Sequence, residues 1–197
     1  MFWQDKIFNY PVCMNLVNNY DIVKKEILNH ISIPDILQDY PNYKVLDNKL
    51  IYENYWKATP CSVFKDEHVE LNGSNEVKQV VNYLAGRFRE NCPVTHLIIK
   101  EEEAKGVLAN SFISRLIPGT VINPHYGWTK KYMRVHFGIV CDPECKITVN
   151  GQTATWEEGK ILAFNDGDTH SVVHNGTKER VVFSVDIVLD YLKHYML

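Results

Sequence analysis

The 197-residue chain predicts a mainly β domain, an antiparallel sandwich or barrel with helices packed on its outside. Two observations carry that expectation. The hydrophobic period changes once along the chain, from helical to alternating, at about residue 107. Beyond that point short β-rich runs are punctuated by Asn150-Gly151, Glu158-Gly159, Asp166-Gly167 and Asn175-Gly176, turn dipeptides spaced 8, 8 and 9 residues apart. Evenly spaced short strands joined by glycine turns suit a two-layered or closed antiparallel sheet. A single domain over 1–197 is expected, with a helix-rich N-terminal part over 1–106 packed on a β core over 107–190.

The first helix is read in DIVKKEILNHI (21–31), where Val23, Ile27 and Ile31 recur every four residues with Leu28 beside them. The second is read in SNEVKQVVNYLAGRF (74–88), where Val77, Val80, Val81, Leu84 and Phe88 form one stripe and Ser74 is placed to cap it. In MRVHFGIV (133–140) the strand period turns Met133, Val135, Phe137 and Ile139 one way and Arg134 and His136 the other. In RVVFSVDI (180–187) Val181, Phe183, Val185 and Ile187 share a face opposite Arg180, Ser184 and Asp186.

Composition bounds the partners. A hydrophobic fraction of 45% and a charged fraction of 23% are those of an ordinary globular protein, and the net charge of -3 argues against a broad nucleic-acid surface. No apolar run approaches the roughly 20 residues that span a bilayer, and MFWQDKIFNYPV lacks the features of a secretory signal, so a cytoplasmic protein is expected. Five scattered cysteines suit a reducing compartment. Cys141 and Cys145 have the look of half a zinc site, but no second pair at zinc spacing accompanies them.

A single histidine on a strand is most often a surface or hydrogen-bonded core residue, and a single arginine is most often an ion-pair partner. The ensemble here is different. His125 precedes a strand, Arg134 and His136 share a strand face, and His170 and Arg180 follow on later strands. That set resembles a non-haem iron site with a dicarboxylate held by arginine.

The run SRLIPGTVINPHYGWTKKYMRVHFGIV (114–140), followed by CKITVNGQTATWEEGKILAFNDGDTHSVVHNGTKERVVFSVDI (145–187), strongly resembles the aspartyl/asparaginyl β-hydroxylase family. The shared elements are PGT-x-x-x-PH-x-G, R-x-H-x-G, CKI, TWEEGK, F-x-D-x-x-x-H and R-x-x-F-x-V-D. The resemblance implies a double-stranded β-helix, a jelly-roll or cupin-like barrel, with flanking N-terminal helices. It implies a dioxygenase using Fe(II), 2-oxoglutarate and O2, with His125 and His170 as the metal ligands. Arg134 and His136 would contact 2-oxoglutarate or the substrate, with Arg134 assigned a catalytic part. Ser114 and Arg180 would hold the far carboxylate of the cosubstrate, and Trp56 would line the same pocket.

Gly127 stands where most relatives with this chemistry carry a third, carboxylate ligand, and Asp166 and Asp168 are the nearby carboxylates in sequence. Asp168 reads better as a turn residue. Tyr132 stands where relatives that act on aspartyl side chains have a second arginine, and the chain has no room for the helical repeats and membrane anchor of the animal peptide hydroxylases. The expected substrate is therefore an amino acid, an amino-acid derivative or another small metabolite, free or bound to a carrier or peptide. Two alternatives accompany hydroxylation: a halogenase with chloride at the position vacated at Gly127, and a β-barrel binding protein without turnover.

Overall fold

The computed structural model describes residues 1–39, 56–62, 75–127 and 129–194. Ser74, expected to cap the second helix, lies outside the described residues, as does the side chain of Val77. The chain opens with three helices, α1 (Gln4–Ile7), α2 (Pro11–Asn18) and α3 (Tyr20–Ile31), followed by two strands, β1 (Gln38–Asp39) and β2 (Trp56–Pro60). Helices α4 (Asn75–Asn91) and α5 (Pro93–Ala104) come next. Strands β3 (Leu108–Leu116), β4 (Val121–His125), β5 (Tyr132–Val140), β6 (Cys145–Val149), β7 (Gln152–Thr155), β8 (Ile161–Asn165), β9 (His170–His174) and β10 (Arg180–Val188) then run to a short α6 (Leu189–Leu192).

The strands form two antiparallel sheets, ordered β1-β2-β3-β10-β5-β8 and β4-β9-β6-β7. The eight strands from β3 onward alternate between the sheets except at the β6–β7 hairpin, in the jelly-roll manner: β3, β10, β5 and β8 lie in one, β4, β9, β6 and β7 in the other. The fold is thus mainly β, a double-stranded β-helix with helices on its N-terminal side. The large sheet also takes β2 from the helix-rich part, paired along β3 from Trp56 opposite Leu116 to Pro60 opposite Phe112.

Each face of the large sheet buries a different layer, as the strand alternation requires. Met133, Val135, Phe137 and Ile139 of β5 and Val181, Phe183, Val185 and Ile187 of β10 pack against Ile7, Leu16, Ile27, Phe88 and Ile99 of the helices. Phe88 stacks on Phe183 with ring centroids 5.9 Å apart. The other face meets the small sheet through Leu116, Ile147, Trp156, Leu162, Phe164, Val172 and Val182. The polar residues of β5 and β10 share this second space, so the pocket lies between the sheets. Gly138 fits there only because it lacks a side chain, since a Cβ would fall inside the Glu157 carbonyl.

Helix α3 matches the expected span, with Val23 and Ile27 buried. In α4 the burial falls on Leu84, Ala85 and Phe88, while Val80, expected in the same stripe, is exposed because only the later turns lie on the sheet. Helix α5 shows no clean period, since Thr95 and Ile99 are buried and Leu97 points outward. Its first turn is fixed from elsewhere: Glu26 of α3 accepts the Val94 and Thr95 amides at 3.0 and 2.9 Å, satisfying donors that a helix start leaves unpaired. Among the described residues no helix is long and apolar enough to cross a membrane.

His30 sits fully buried at this interface, edge-on to Phe88, with Nδ1 3.2 Å from the Asn91 amide nitrogen and Nε2 without a partner. Burial, with Arg87 adding to it, pushes its pKa down to about 4. Between the ordinary histidine value of about 6.5 and that value the unfolded chain holds the proton more tightly. Stability is therefore lost as pH falls through this window, by up to about 3 kcal/mol. A His30→Leu variant is expected to lose less stability than the parent between pH 7 and pH 5 in urea unfolding. Equal losses would show that the imidazole charges without penalty.

Candidate active site

His125 closes β4 and His170 opens β9, and the two are direct partners across the ladder. Their rings lie 4.2 Å apart, centroid to centroid. In each the Nδ1 atom is 2.8 Å from the backbone carbonyl two residues upstream, Asn123 for His125 and Asp168 for His170. A carbonyl only accepts, so Nδ1 carries the proton and Nε2 keeps a bare lone pair. Burial pushes the His170 pKa down to about 3, with neighbouring His125 adding to it, and burial lowers that of His125 as well. Both imidazoles are thus neutral near pH 7, the state in which imidazole binds a metal. This donor pair fits a divalent transition metal such as Fe(II). Among the described residues, no third His, Cys, Asp or Glu completes a three-ligand set.

His136 carries its proton on the other nitrogen. It projects from β5 into the buried pocket, where its Nδ1 accepts from the indole Nε1–H of Trp156 at 3.1 Å. An indole nitrogen only donates. Burial, followed by the charges of Arg180 and Arg134, holds the His136 pKa well below the usual value, so the ring is neutral and its single proton lies on Nε2. The residue offers the pocket a donor where His125 and His170 offer acceptors.

Deeper in, Arg180 at the start of β10 is 2% exposed, and its Nε and Nη1 are buried without hydrogen-bond partners. Its guanidinium lies 4.7 Å from the centre of the Trp156 ring, so one indole holds both His136 and Arg180. Arg180 Nη2 reaches Ser114 Oγ at 3.4 Å, and Trp56 Nε1 donates to the same oxygen at 2.9 Å. With its oxygen accepting twice, the Ser114 hydroxyl proton remains to be donated. A buried cation with spare donors beside a donating hydroxyl suits a carboxylate.

Arg134 stands apart from this anion cradle. Its Nε and Nη2 donate to the two oxygens of Asp186 at 2.9 and 2.8 Å, and its Nη1 pairs with Asp166. Asp166 in turn explains Gly127, because a Cβ at 127 would fall inside the Asp166 carboxylate. The space a side chain at 127 would enter is therefore already held by a carboxylate from the β8–β9 turn. Burial raises the Asp166 pKa to about 6, against the pull of Arg134 and with the help of Asp186. Asp168 lies at the surface of the turn, 3.6 Å from the terminal amine of Met1, and serves His170 through its backbone carbonyl.

The structure therefore gathers His125 with His170, and Ser114 with Arg180 and Trp56, and it sets His136 beside Trp156. From sequence Trp156 carries no role, and Asp166 is only a nearby carboxylate that could stand in for the third ligand. Their partners lie 20 and 32 residues away, and no local pattern joins them.

A family model for aspartyl/asparaginyl beta-hydroxylases matches residues 18–189, and the chain belongs to that family. Aspartate beta-hydroxylase domain-containing protein 2 of Mus musculus is 38% identical over 102 residues, which is 49% of this chain and 30% of that protein. Aspartyl/asparaginyl beta-hydroxylase of Homo sapiens is 35% identical over 132 residues, 64% of this chain and 17% of that protein. The chain thus matches less than a third of the length of these relatives. Among solved structures, a predicted oxalate decarboxylase from Thermotoga maritima aligns with a TM-score of 0.37 and 17% identity, covering 45% of this chain and 73% of that one. A cupin 2 conserved barrel domain protein from Salinispora arenicola aligns with a TM-score of 0.38 and 9% identity, covering 76% and 91%.

The contact between positions 127 and 166 is measurable as a coupling. Gly127→Ala is expected to destabilise the protein by about 1–3 kcal/mol through overpacking. In an Asp166→Ala background most of that cost should vanish, a coupling on the order of 1–3 kcal/mol in a double-mutant cycle of urea unfolding. Additive effects would show that the two positions do not meet.

Proposed function

We propose that the protein is an Fe(II)- and 2-oxoglutarate-dependent oxygenase that hydroxylates a C–H bond of an amino-acid-type substrate. One observation supports this above the rest. Two neutral imidazoles with bare Nε2 atoms lie 4.2 Å apart, ring centre to ring centre, and a buried arginine with unused donors lines the same pocket. His125 and His170 would hold the iron. Arg180 and Ser114 would receive the far carboxylate of 2-oxoglutarate, with the His136 Nε2–H as a further donor.

Bound iron would supply the oxygen activation that couples cosubstrate decarboxylation to hydroxylation, so that substrate, 2-oxoglutarate and O2 give hydroxylated substrate, succinate and carbon dioxide. The protein's own residues orient and exclude. Arg180 is costly to bury without a counter-charge, and a dicarboxylate removes that cost. Trp156 fixes the plane of the guanidinium and the tautomer of His136. Phe164, packed 5.1 Å from His170 and 5.4 Å from His136, covers the His170 side of the pocket.

Hydroxylation is favoured over halogenation by Asp166. Its carboxylate fills the space beside Gly127, where a chloride would meet like charge. The metal-ready pair of imidazoles together with Arg180 counts against a ligand-binding protein without turnover.

Succinate release on mixing the protein with Fe(II), 2-oxoglutarate and oxygen tests the reading directly. His125→Ala and His170→Ala are each expected to abolish Mn(II) binding and succinate release. Arg180→Ala should keep the metal and weaken 2-oxoglutarate by roughly ten- to a hundredfold, the loss of a charge-assisted bond. His136→Ala should keep full metal affinity. Undiminished metal binding in His125→Ala would contradict the assignment.

A further inference from the structure

Residues 1–3 precede α1 and run beside β8, which ends the order of the large sheet. Phe2 pairs with Phe164 in an antiparallel bridge, and the Trp3 amide donates to the Ala163 carbonyl at 2.7 Å. A backbone bond made by the residue next to the bridge marks Phe2 and Phe164 as a non-hydrogen-bonded pair. In that arrangement opposed side chains stand closest, with α-carbons about 4.5 Å apart. Strand alternation continues through this tripeptide. Trp3 packs against the helical layer, whereas Phe2 joins the cluster between the sheets, to which Phe164, Trp156 and Val172 belong. The tripeptide is thus a further short strand of the large sheet, with one aromatic ring on each face.

Phe164 links this strand to the site. It is 1% exposed, its ring lies 5.1 Å from His170 and 5.4 Å from His136, and it stands opposite Arg134 of β5. The place beside it on the other side of β8 is filled by Phe2. The His170 ring meets two others, that of His125 at 4.2 Å and that of Phe164. Its bond to the Asp168 carbonyl fixes the tautomer and one ring atom, and leaves the imidazole able to pivot about that atom. A ring packed against it removes this freedom, so the direction of the bare Nε2 depends on Phe164 keeping its place. Phe2 is only partly buried, and Phe164 would relax into the void that its loss leaves.

We propose that Phe2 is a positioning residue of the site: it holds Phe164 against His170 and His136, and through Phe164 it fixes the direction of the His170 Nε2. The metal that this direction serves rests on the oxygenase reading, whereas the packing is testable without one.

The test compares Phe2→Ala, Phe2→Leu, Phe2→Tyr and Trp3→Ala in the full chain. In the metal-free protein the imidazole carbon-bound proton resonances of His170 and His136 are expected to move in Phe2→Ala. They should stay in place in Trp3→Ala, which loses a ring from the other face. Mn(II) affinity, read by calorimetry, should fall roughly tenfold in Phe2→Ala, as for lost support behind a metal ligand, and hold in Trp3→Ala. Phe2→Tyr, which keeps the ring, should match the parent in both measurements. If Phe2→Ala does not fold, Phe2→Leu takes its place, with smaller changes in the same directions. Imidazole resonances that stay in place when Phe2 is replaced, or that move as far in Trp3→Ala, would overturn the proposal. So would an unchanged Mn(II) affinity where the parent binds the metal. Moved resonances in a protein whose parent binds no Mn(II) would sustain the positioning and remove the oxygenase reading instead.

Discussion

Two backbone carbonyls, those of Asn123 and Asp168, fix what this pocket can do. Each accepts the Nδ1–H of the histidine two residues on, and each thereby leaves Nε2 bare. The pairing of β4 with β9 then sets the two rings against each other. Were either carbonyl to turn away, the imidazole could move its proton to Nε2 and the donor pair would be lost. Trp156 imposes the opposite tautomer on His136. Three histidines within one pocket thus divide into two acceptors and one donor, through hydrogen bonds made outside the reacting space.

The charges of the pocket are likewise divided in two. Arg180 is buried with spare donors among a hydroxyl, an indole and the thiols of Cys141 and Cys145, a cation short of an anion. Arg134 is the reverse, a cation with two carboxylates. The histidines of the pocket, His136 and His170 buried and His125 half-buried, are kept neutral by desolvation. One arginine thus lacks a counter-charge while the other is surrounded by them, so the two ends of the pocket offer a ligand different chemistry. The helical layer contributes rigidity: the face of β5 and β10 that turns away from the pocket is packed on α3, α4 and α5, so the pocket residues stand on strands that are fixed from behind.

The alternation of β5 and β10 was the most legible part of the sequence, because a strand buried on both faces can carry Arg134, His136, Arg180 and Asp186 only where something satisfies them. The jelly roll and the pairing of His125 with His170 came from family resemblance; spacing alone left the choice between His125 and His136 open. The tautomers that separate them depend on Trp156, which is remote in sequence, and on carbonyl directions that no side-chain pattern encodes. Gly127 read as an omitted ligand, whereas its neighbour Asp166 shows that the space is taken. Helix α5 escaped notice because its cap is supplied by Glu26, 68 residues away, and Val80 was misplaced because its helix overhangs the sheet.

The most direct test of this account is the protonation state of the three imidazoles in the metal-free protein at pH 7, read from the nitrogen-15 shifts of their ring atoms. His125 and His170 should each show a protonated Nδ1 and a bare Nε2, and His136 the reverse, with only His136 responding when Trp156 is replaced by phenylalanine. A protonated Nε2 on His125 or His170, or a bare one on His136, would contradict the division of labour on which the site is built.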